Sequence, residues 1–348
     1  MNLSGDELWR WLRGTRWKPP KAATADQERC ETYVFALEQA EQMFRAAATV
    51  GPATQPLLIF YGLSQAGRAI MATAPVKGDQ WRLVGHGISQ DPKTFAGPLA
   101  DVAVTTSKAG NRSSFVRLSQ ALDSPVWEDS AVPLGALWDC LPENRFSSLA
   151  TVTNDRRTPL DVDERTLPGG DPNPHASVEV WDFPPWVASA GNADALKTYM
   201  KAFPGSEGFA YPWDGPSEAQ EPAFSLDLDG WGGLTMHWHV PPGSNGSYED
   251  RRTLIRAMTR PHGRARYLVP AVGSNTKSLH PLMTWWAVLH TLSMLARYEP
   301  AQWSKHIHID SSQQAVPLES LLEKAISTLP TLIAYVLDEL SGGELTSR

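Results

Sequence analysis

The stretch that most constrains the fold is residues 57–71, LLIFYGLSQAGRAIM, where apolar side chains fall on nearly every side of a helix. Such a helix is stable only when other elements enclose it, so we predict a buried helix over about residues 57–73. Its polar side chains Tyr61, Gln65 and Arg68 follow an i, i+4, i+7 row and therefore share one face. A guanidinium on this helix needs an acidic partner or a wet site, and both remain open for Arg68.

A second apolar stretch, residues 281–298 (PLMTWWAVLHTLSMLARY), predicts another buried helix. We expect the two helices to contact each other in the core. Gly62 and Gly67 would each allow the close approach of a neighbouring element, and Gly62→Leu should overpack the contact between the two helices at a cost of about 1–3 kcal/mol. The predicted fold class is α+β and mostly α, with a helical body built on these two helices and a strand-containing middle segment.

Composition limits the kinds of protein that the chain can be. Of its 348 residues, 42% are hydrophobic and 20% charged, which is typical of a folded domain. The net charge of −7 argues against nucleic acid over the whole surface but is compatible with a local basic site. No apolar run reaches the roughly 18 residues that span a bilayer, and no signal peptide is evident. We therefore expect a cytoplasmic protein with no membrane partner.

No motif for a cofactor or a metal stands out. Cys30 and Cys140 lack metal-ligand spacing, and neither a P-loop nor a G-x-G-x-x-G motif after a strand is present. His237 and His239 should project from one face of a strand, but the sequence indicates no third ligand. We expect neither a cofactor nor a metal.

The character of the chain changes along its length. Residues 101–118 look like two strands joined by a turn, and residues 151–175 look like a long surface connection. Alternating or β-rich runs predict strands at 177–182, 208–212, 223–229 and 234–240. Four segments result: a basic and aromatic arm at 1–25, the first part of the helical body at 26–149, the strand-containing segment at 150–270, and the C-terminal part of the body at 271–348.

The strongest charge signal lies in residues 249–266, where six arginines fall within sixteen residues. If this segment is helical, Arg252, Arg256 and Arg260 form an i, i+4, i+8 stripe, and their mutual repulsion requires a facing anion or carboxylate. RNA or a nucleotide bound through residues 251–266 fits this requirement, and so does a patch of the protein's own acidic residues.

Six blocks, in sequence order, carry a resemblance to a known family: QAEQMFRAA, PLLIFYGLSQAGRAI, GHGIS, SSFVRLSQAL, PLGALWDCLPEN and LHTLSMLARYEPAQW. The chain resembles the YaaC-like family of bacterial proteins, in scattered blocks over most of residues 30–306. The most specific blocks are residues 61–68, the pair His86-Gly87, and residues 293–298 with Pro300 and Trp303. None is a catalytic signature, so the resemblance implies a shared fold more than an activity.

The tyrosine-rich helices are also similar, more weakly, to HEPN domains, helical bundles that act as ribonucleases and nucleotide-transferase partners. HEPN ribonucleases carry an Arg followed a few residues later by a His within one helix. In this sequence that spacing occurs at Arg256 and His262, and Pro261 would break the helix between them. This departure argues against HEPN-type cleavage.

The polar residues of the family-like blocks, together with the arginine stripe, form the candidate site. Two guanidinium groups near a buried interface must be solvated or paired, so we predict that several of these residues converge on one cavity. The alternative is that each arginine has its own Asp or Glu. The candidate catalytic residues are Arg68, His86 and Arg297, and the candidate ligand-binding residues are Tyr61, Gln65, Tyr298, Arg252, Arg256 and Arg260.

Three functions are compatible with these features. The first is binding of RNA or a nucleotide, in stress response or in defence against foreign nucleic acid. The second is a noncatalytic assembly or regulatory role, with a protein partner or a second copy bound at a Trp-rich surface. The third is a hydrolase or nuclease whose site uses Arg68, His86 and Arg297.

Overall fold

The computed structural model describes residues 5–149, 156–163, 170–184, 186–187, 193–204, 233–263 and 265–345. The chain divides into two compact units. Unit 1 comprises Met1–Thr151, Gly273–Asn275 and His280–Arg348, and unit 2 comprises Val152–Val272 and Thr276–Leu279. The strands expected at 208–212 and 223–229 lie outside the described residues.

Helices dominate the regular structure, at 54% of the chain against 12% for strands, so the predicted mostly α, α+β class is confirmed. The helices of the described residues are α1 Gly5–Trp17, α2 Gln27–Ala47, α3 Gln55–Thr73, α4 Ser114–Ala121, α5 Leu134–Asp139, α6 Ala193–Met200, α7 Tyr248–Met258, α8 Pro281–Tyr298, α9 Pro300–Ile307 and α10 Ala315–Leu340.

Two small antiparallel sheets accompany the helices, one in each unit. The sheet of unit 1 has the strand order β1-β2-β3, and that of unit 2 has the order β6-β5-β4-β8-β7. Their strands are β1 Ile88–Gln90, β2 Ala103–Thr106, β3 Val132–Pro133, β4 Leu160–Asp163, β5 His175–Trp181, β6 Gly233–His239, β7 Arg260–His262 and β8 Ala265–Leu268.

The core of unit 1 is built around α3 and α8, which contact each other as predicted. Pro56 and Pro281 stand in the first turns of these helices, where a missing N–H leaves no intrahelical hydrogen bond unmade. The side chain of His280 caps α8 by accepting a hydrogen bond from the Leu282 amide. Helix α3 also packs against α2 and α10, so the apolar side chains around it are covered on several sides.

The glycines of α3 mark two different contacts, and the prediction for Gly62 is wrong. A Cβ at Gly62 would lie 3.1 Å from the ring of Phe44, which belongs to α2 and not to α8. Gly67 is the residue at the α8 contact, because a Cβ there would lie 2.7 Å from the Trp286 ring. Sequence spacing alone does not show which side of a wholly buried helix meets which neighbour.

The N-terminal segment is a helix that packs on unit 1. Leu8, Trp9 and Leu12 of α1 are buried, and the hydroxyls of Thr15 and Tyr33 share a hydrogen bond of 2.6 Å between α1 and α2. Trp17, at the end of α1, is 94% exposed. It is the one fully exposed tryptophan among the described residues, since the others are buried or half-buried.

One of the predicted local structures in unit 1 is wrong. Residues 101–118 form strand β2 and then helix α4, not two strands. The apolar residues after the turn, Phe115, Val116 and Leu118, are all buried at a spacing that a short helix satisfies as well as a strand.

Helix α10 is a single helix with Pro330 inside it, and it is long and apolar enough to cross a membrane. More than half of its most apolar 18-residue stretch is buried inside the protein, as in a core helix.

Unit 2 has its own apolar core on one face of the five-stranded sheet. Val178 and Val180 of β5 and Trp238 of β6 pack with Tyr199 of α6 and Ile255 of α7. Strand β4 lies within the segment predicted as a surface connection, so that prediction is wrong for residues 160–163. The short Leu-Asp-Val-Asp run is too brief for alternation to stand out from its polar flanks.

Candidate functional site

Two arginines from separate parts of unit 1 act electrostatically on one histidine. Arg68 comes from the last turns of α3, His86 from the turn that precedes β1, and Arg297 from the last turn of α8. We call Arg68, His86 and Arg297 the arginine–histidine cluster. All three are the candidate catalytic residues that the sequence indicates.

The turn that carries His86 is held in place by glycine and by the backbone of α4. Gly85 and Gly87 on either side of it have φ angles of +63° and +74°, which side chains rarely allow. A Cβ at Gly87 would also lie 2.0 Å from the hydroxyl of Ser113, so only glycine fits. The carbonyl of His86 accepts a hydrogen bond of 2.9 Å from the Phe115 amide at the start of α4. His86 is therefore presented from a fixed backbone.

The side chain of Arg297 joins the two central helices at the surface. Its Nη1 donates a hydrogen bond of 2.6 Å to the phenolic oxygen of Tyr61 on α3. Its guanidinium carbon also lies 5.0 Å from the centroid of the Tyr298 ring, within the range of a cation–π interaction. Arg68 donates from Nη1 to the Leu83 carbonyl over a long 3.5 Å contact. Within the described parts of the chain, both guanidinium groups keep N–H donors available for another acceptor.

Neither Arg68 nor Arg297 has a carboxylate within 4.0 Å in the part of the chain that the structure describes. Other surface arginines of unit 1 are paired, for example Arg16 with Glu38 at 2.6 Å and Arg45 with Glu41 at 2.9 Å. Among the described residues, neither Arg68 nor Arg297 therefore has its own Asp or Glu.

His86 lies within electrostatic range of both arginines. Partial desolvation lowers the pKa of His86 from its usual 6.5, and the positive charges of Arg297 and then Arg68 lower it further. The imidazole is therefore neutral at physiological pH. A neutral imidazole has one N–H to donate and one nitrogen that can accept a proton.

A second histidine, His290 of α8, lies beneath the cluster. It is 1% exposed, and its ring centroid is 5.2 Å from that of His86 and 4.9 Å from that of Phe60. Burial, and next the charge of His86, lower the pKa of His290 to about 3, so this ring is neutral. Its Nδ1 lies 2.9 Å from Nε2 of Gln90 on β1.

The remaining candidates of α3 and α8 sit beside the cluster. Gln65 is half-buried one turn from Arg68 and makes no hydrogen bond within the described ranges. Tyr298 is 56% exposed, so one aromatic ring next to Arg297 is open to solvent.

The predicted arginine stripe of unit 2 is wrong. Helix α7 ends at Met258, with Thr259 as its C-cap in an extended conformation, and Arg260 lies in strand β7. Arg260 donates to the hydroxyl and the carbonyl of Ser278. The pairing of β7 with β8 competes with another helical turn, and helix periodicity cannot reveal that competition. Since Pro261 and His262 also lie in β7, Arg256 and His262 do not share a helix.

Two of the other arginines in this segment, Arg251 and Arg266, serve the structure of unit 2. Arg251 is 2% exposed and forms an ion pair of 2.7 Å with Asp171. Arg266 donates to the Thr259 hydroxyl and carbonyl and to the Arg256 carbonyl. Arg252, 3.7 Å from Glu249, and the exposed Arg256 are left at the surface.

His237 and His239 project from the same face of β6, as their alternation predicts. The ring of His175 on β5 lies 4.6 Å from that of His239 and 6.4 Å from that of His237. Nδ1 of His237 shares a hydrogen bond of 2.7 Å with the Ser177 hydroxyl. Within the described residues, no group of three or more His, Cys, Asp or Glu side chains is arranged to hold a metal ion.

Sequence reasoning missed the layer beneath the cluster. No local sequence pattern identifies Gln90 as part of the site, because its partner His290 is 200 residues away in the sequence. His290 does carry a signal, since it is the one ionisable group in the apolar run before Arg297. A single imidazole in a buried helix needs a hydrogen-bond partner, and that partner would lie in the layer beneath the cluster.

Comparison with known proteins gives one positive result. No curated protein and no solved structure matches the chain significantly. A family model described as YaaC-like Protein matches residues 9–337, which include α3, α8 and all three residues of the arginine–histidine cluster. The chain therefore belongs to the YaaC-like family.

Proposed function

We propose that this protein binds a phosphate-bearing ligand, a nucleotide or RNA, through the arginine–histidine cluster of unit 1. The observation that carries the proposal is that Arg68 and Arg297 both act electrostatically on a neutral His86 and lack a carboxylate partner in the described residues. Guanidinium groups suit phosphate because their planar N–H forks match two oxygens at once.

The charge of the whole chain makes these unpaired arginines more informative. With 38 acidic against 31 basic residues, acidic partners are plentiful, and other arginines of unit 1 have found them. A pair of arginines without such a partner is a local positive region on a protein of net charge −7. An anion that enters this region gains attraction from both guanidinium groups.

Tyr298 favours a nucleotide or RNA over a simple anion. Its exposed ring lies under the guanidinium of Arg297, at the edge of the cluster. A base stacked on such a ring contributes about 1–3 kcal/mol, while the adjoining phosphate contacts the arginines. RNA as the ligand would fit a role in stress response or defence, and a free nucleotide would fit a metabolic signal.

The test is a binding titration with inorganic phosphate, nucleoside mono- and triphosphates, and short single-stranded RNA. The double variant Arg68→Gln/Arg297→Gln should lose at least about tenfold in affinity, since each charged hydrogen bond contributes about 1.5–3 kcal/mol. The matched control is Arg252→Gln/Arg256→Gln, which removes two surface arginines of unit 2. The proposal fails if the control loses as much affinity as the cluster variant, or if neither loses any.

A hydrolase or nuclease activity at the same site is the second candidate, and the neutral state of His86 favours it. An imidazole with a lowered pKa is free to accept a proton at neutral pH, and the arginines would stabilise charge on a phosphoryl group. The products of RNA and nucleotides incubated with the protein should then depend on His86. Turnover that survives His86→Ala at the wild-type rate would exclude this role.

A further inference from the structure

The hydrogen bonds of Gln90 determine which nitrogen of His290 carries the proton. Nε2 of Gln90 lies 2.9 Å from Nδ1 of His290 and 3.0 Å from the Thr291 hydroxyl. That hydroxyl donates to the Ala287 carbonyl at 2.9 Å, and in this arrangement it accepts from the amide nitrogen of Gln90. The amide oxygen of Gln90 is buried and has no hydrogen-bond partner among the described residues.

Once the amide is oriented, the tautomer of His290 follows. The Gln90 nitrogen donates to Nδ1, so Nδ1 is an acceptor, and the neutral ring carries its proton on Nε2. This Nε2–H is buried and has no hydrogen-bond partner among the residues that the structure describes. A buried donor without a partner costs about 1–3 kcal/mol, which makes it an exception that requires an explanation.

The nearest polar ring is that of His86. Two imidazoles joined by an N–H···N hydrogen bond have centroids roughly 5 Å apart, given a donor–acceptor distance near 3 Å. The observed separation of 5.2 Å fits this value, while the interplanar angle of 52° and the absence of a bond show that the rings are not yet aligned. His86 is exposed and can rotate on its side-chain bonds, whereas His290 is enclosed by Phe60 and Gln90.

We propose that His290 is a positioning residue whose Nε2–H donates to His86 when a phosphate group occupies the arginine–histidine cluster. This inference rests on the proposed function. His86 accepts from His290 on one nitrogen and must then carry its own proton on the other. That second N–H donates to a phosphate oxygen between Arg68 and Arg297.

The result is a directed relay from Gln90 through His290 and His86 to the ligand. Every member donates outward, so the amide of Gln90 determines the tautomers of both rings. The relay supplies the phosphate with a neutral N–H donor, and no third positive charge has to be placed beside the two arginines.

Two substitutions of His290 separate this role from packing. Phe matches the ring shape among Phe60 and Trp286 but has no donor, whereas Gln keeps an acceptor for Gln90 and a donor for His86. Inorganic phosphate, titrated by NMR, is the probe. We expect His290→Phe to weaken phosphate binding about tenfold and His290→Gln to stay within about threefold of wild type. A packing role predicts the opposite order, because Phe preserves the apolar contacts.

A second readout follows the histidine ring nitrogens directly by their ¹⁵N shifts. In wild type, His290 should be protonated on Nε2 throughout, and phosphate should convert His86 to a single tautomer. Phosphate binding that depends on both arginines but is unchanged in His290→Phe overturns the relay and leaves the proposed function standing. A His290 protonated on Nδ1 overturns the relay whether or not phosphate binds. Absence of arginine-dependent phosphate binding overturns the proposed function, and the relay with it.

Discussion

Arg297 at the end of α8 donates a hydrogen bond of 2.6 Å to the hydroxyl of Tyr61 on α3. The two central helices of unit 1 are thus joined at the surface by a polar contact as well as in the core by apolar ones. The same contact orients a cluster arginine, so its loss should be visible in stability and in ligand binding.

Tyr61→Phe removes the acceptor of this hydrogen bond and little else. Because the Arg297 guanidinium is exposed to water, we expect the free energy of unfolding to fall by only about 0.5 kcal/mol. Phosphate affinity should fall by a larger factor, since Arg297 is no longer held in place. Tyr298→Phe is the matched control, because its exposed hydroxyl has no hydrogen-bond partner among the described residues. Urea unfolding and the phosphate titration measure both effects, and equal effects of the two variants would contradict this role for Tyr61.

The two buried glycines of α3 should respond differently to a methyl group. Gly67→Ala places a Cβ 2.7 Å from Trp286 and 2.9 Å from Leu118, so we expect it to destabilise unit 1 by about 1–3 kcal/mol. At Gly62 the Cβ lies 3.1 Å from the Phe44 ring, and a gain in helix propensity of roughly 1 kcal/mol offsets the small shift required. Gly14→Ala, with nothing within 4 Å, measures the propensity gain alone. Denaturant unfolding of the three variants gives the comparison, and a Gly67→Ala as stable as Gly62→Ala would contradict the predicted packing.

Buried His290 makes stability depend on pH. Its pKa of about 3 in the folded chain compares with 6.5 for an ordinary histidine, so between these values the unfolded chain binds a proton that the folded chain does not. This group therefore stabilises the fold above pH 6.5, and its contribution is lost at about 1.4 kcal/mol per pH unit as the pH falls below that value. We expect His290→Phe to show a shallower loss of stability than wild type in urea unfolding between about pH 7 and pH 5. Parallel slopes for the two proteins would show that this ring is not kept neutral.

Adjacent arginines of α7 should differ sharply in their effect on unit 2. Arg251 is buried and paired with Asp171, so we expect Arg251→Gln to reduce the free energy of unfolding by about 2 kcal/mol or more. Arg252 is at the surface, 3.7 Å from Glu249, and Arg252→Gln should change stability by less than about 0.5 kcal/mol. Denaturant unfolding of the two variants is the measurement, and similar losses would contradict the assignment of Arg251 to the structure.

The features that the sequence reveals are those with a long, local pattern. Residues 57–73 and 281–298 are apolar over several helical turns, so both helices and their burial follow from periodicity alone. The shared face of Tyr61 and Arg68 follows in the same way, because helix geometry determines it. By contrast, the run after Ser113 is short enough to satisfy either period, and its helical state depends on tertiary contacts.

Other features depend on partners that are distant in the sequence. Arg260 leaves the helix because β7 pairs with β8, and Gln90 acquires its role from a histidine on another element. The helix that Gly62 contacts is a further example, since nearly every side of α3 is apolar and the order of its neighbours is a property of the whole fold. Local sequence patterns thus predict the helices and strands, whereas the layer beneath the cluster forms only when distant segments of the chain pack together.

The division of unit 1 between the two ends of the chain has a consequence for synthesis. Helix α3 leaves the ribosome long before α8, because all of unit 2 up to Val272 is made between them. The side of α3 that meets α8 therefore remains uncovered by its partner while unit 2 can already fold, and such an exposed apolar surface is prone to aggregation. A nascent chain released before α8 would contain Arg68 and His86 but no completed cluster, so a truncated product would lack Arg297 and His290 altogether.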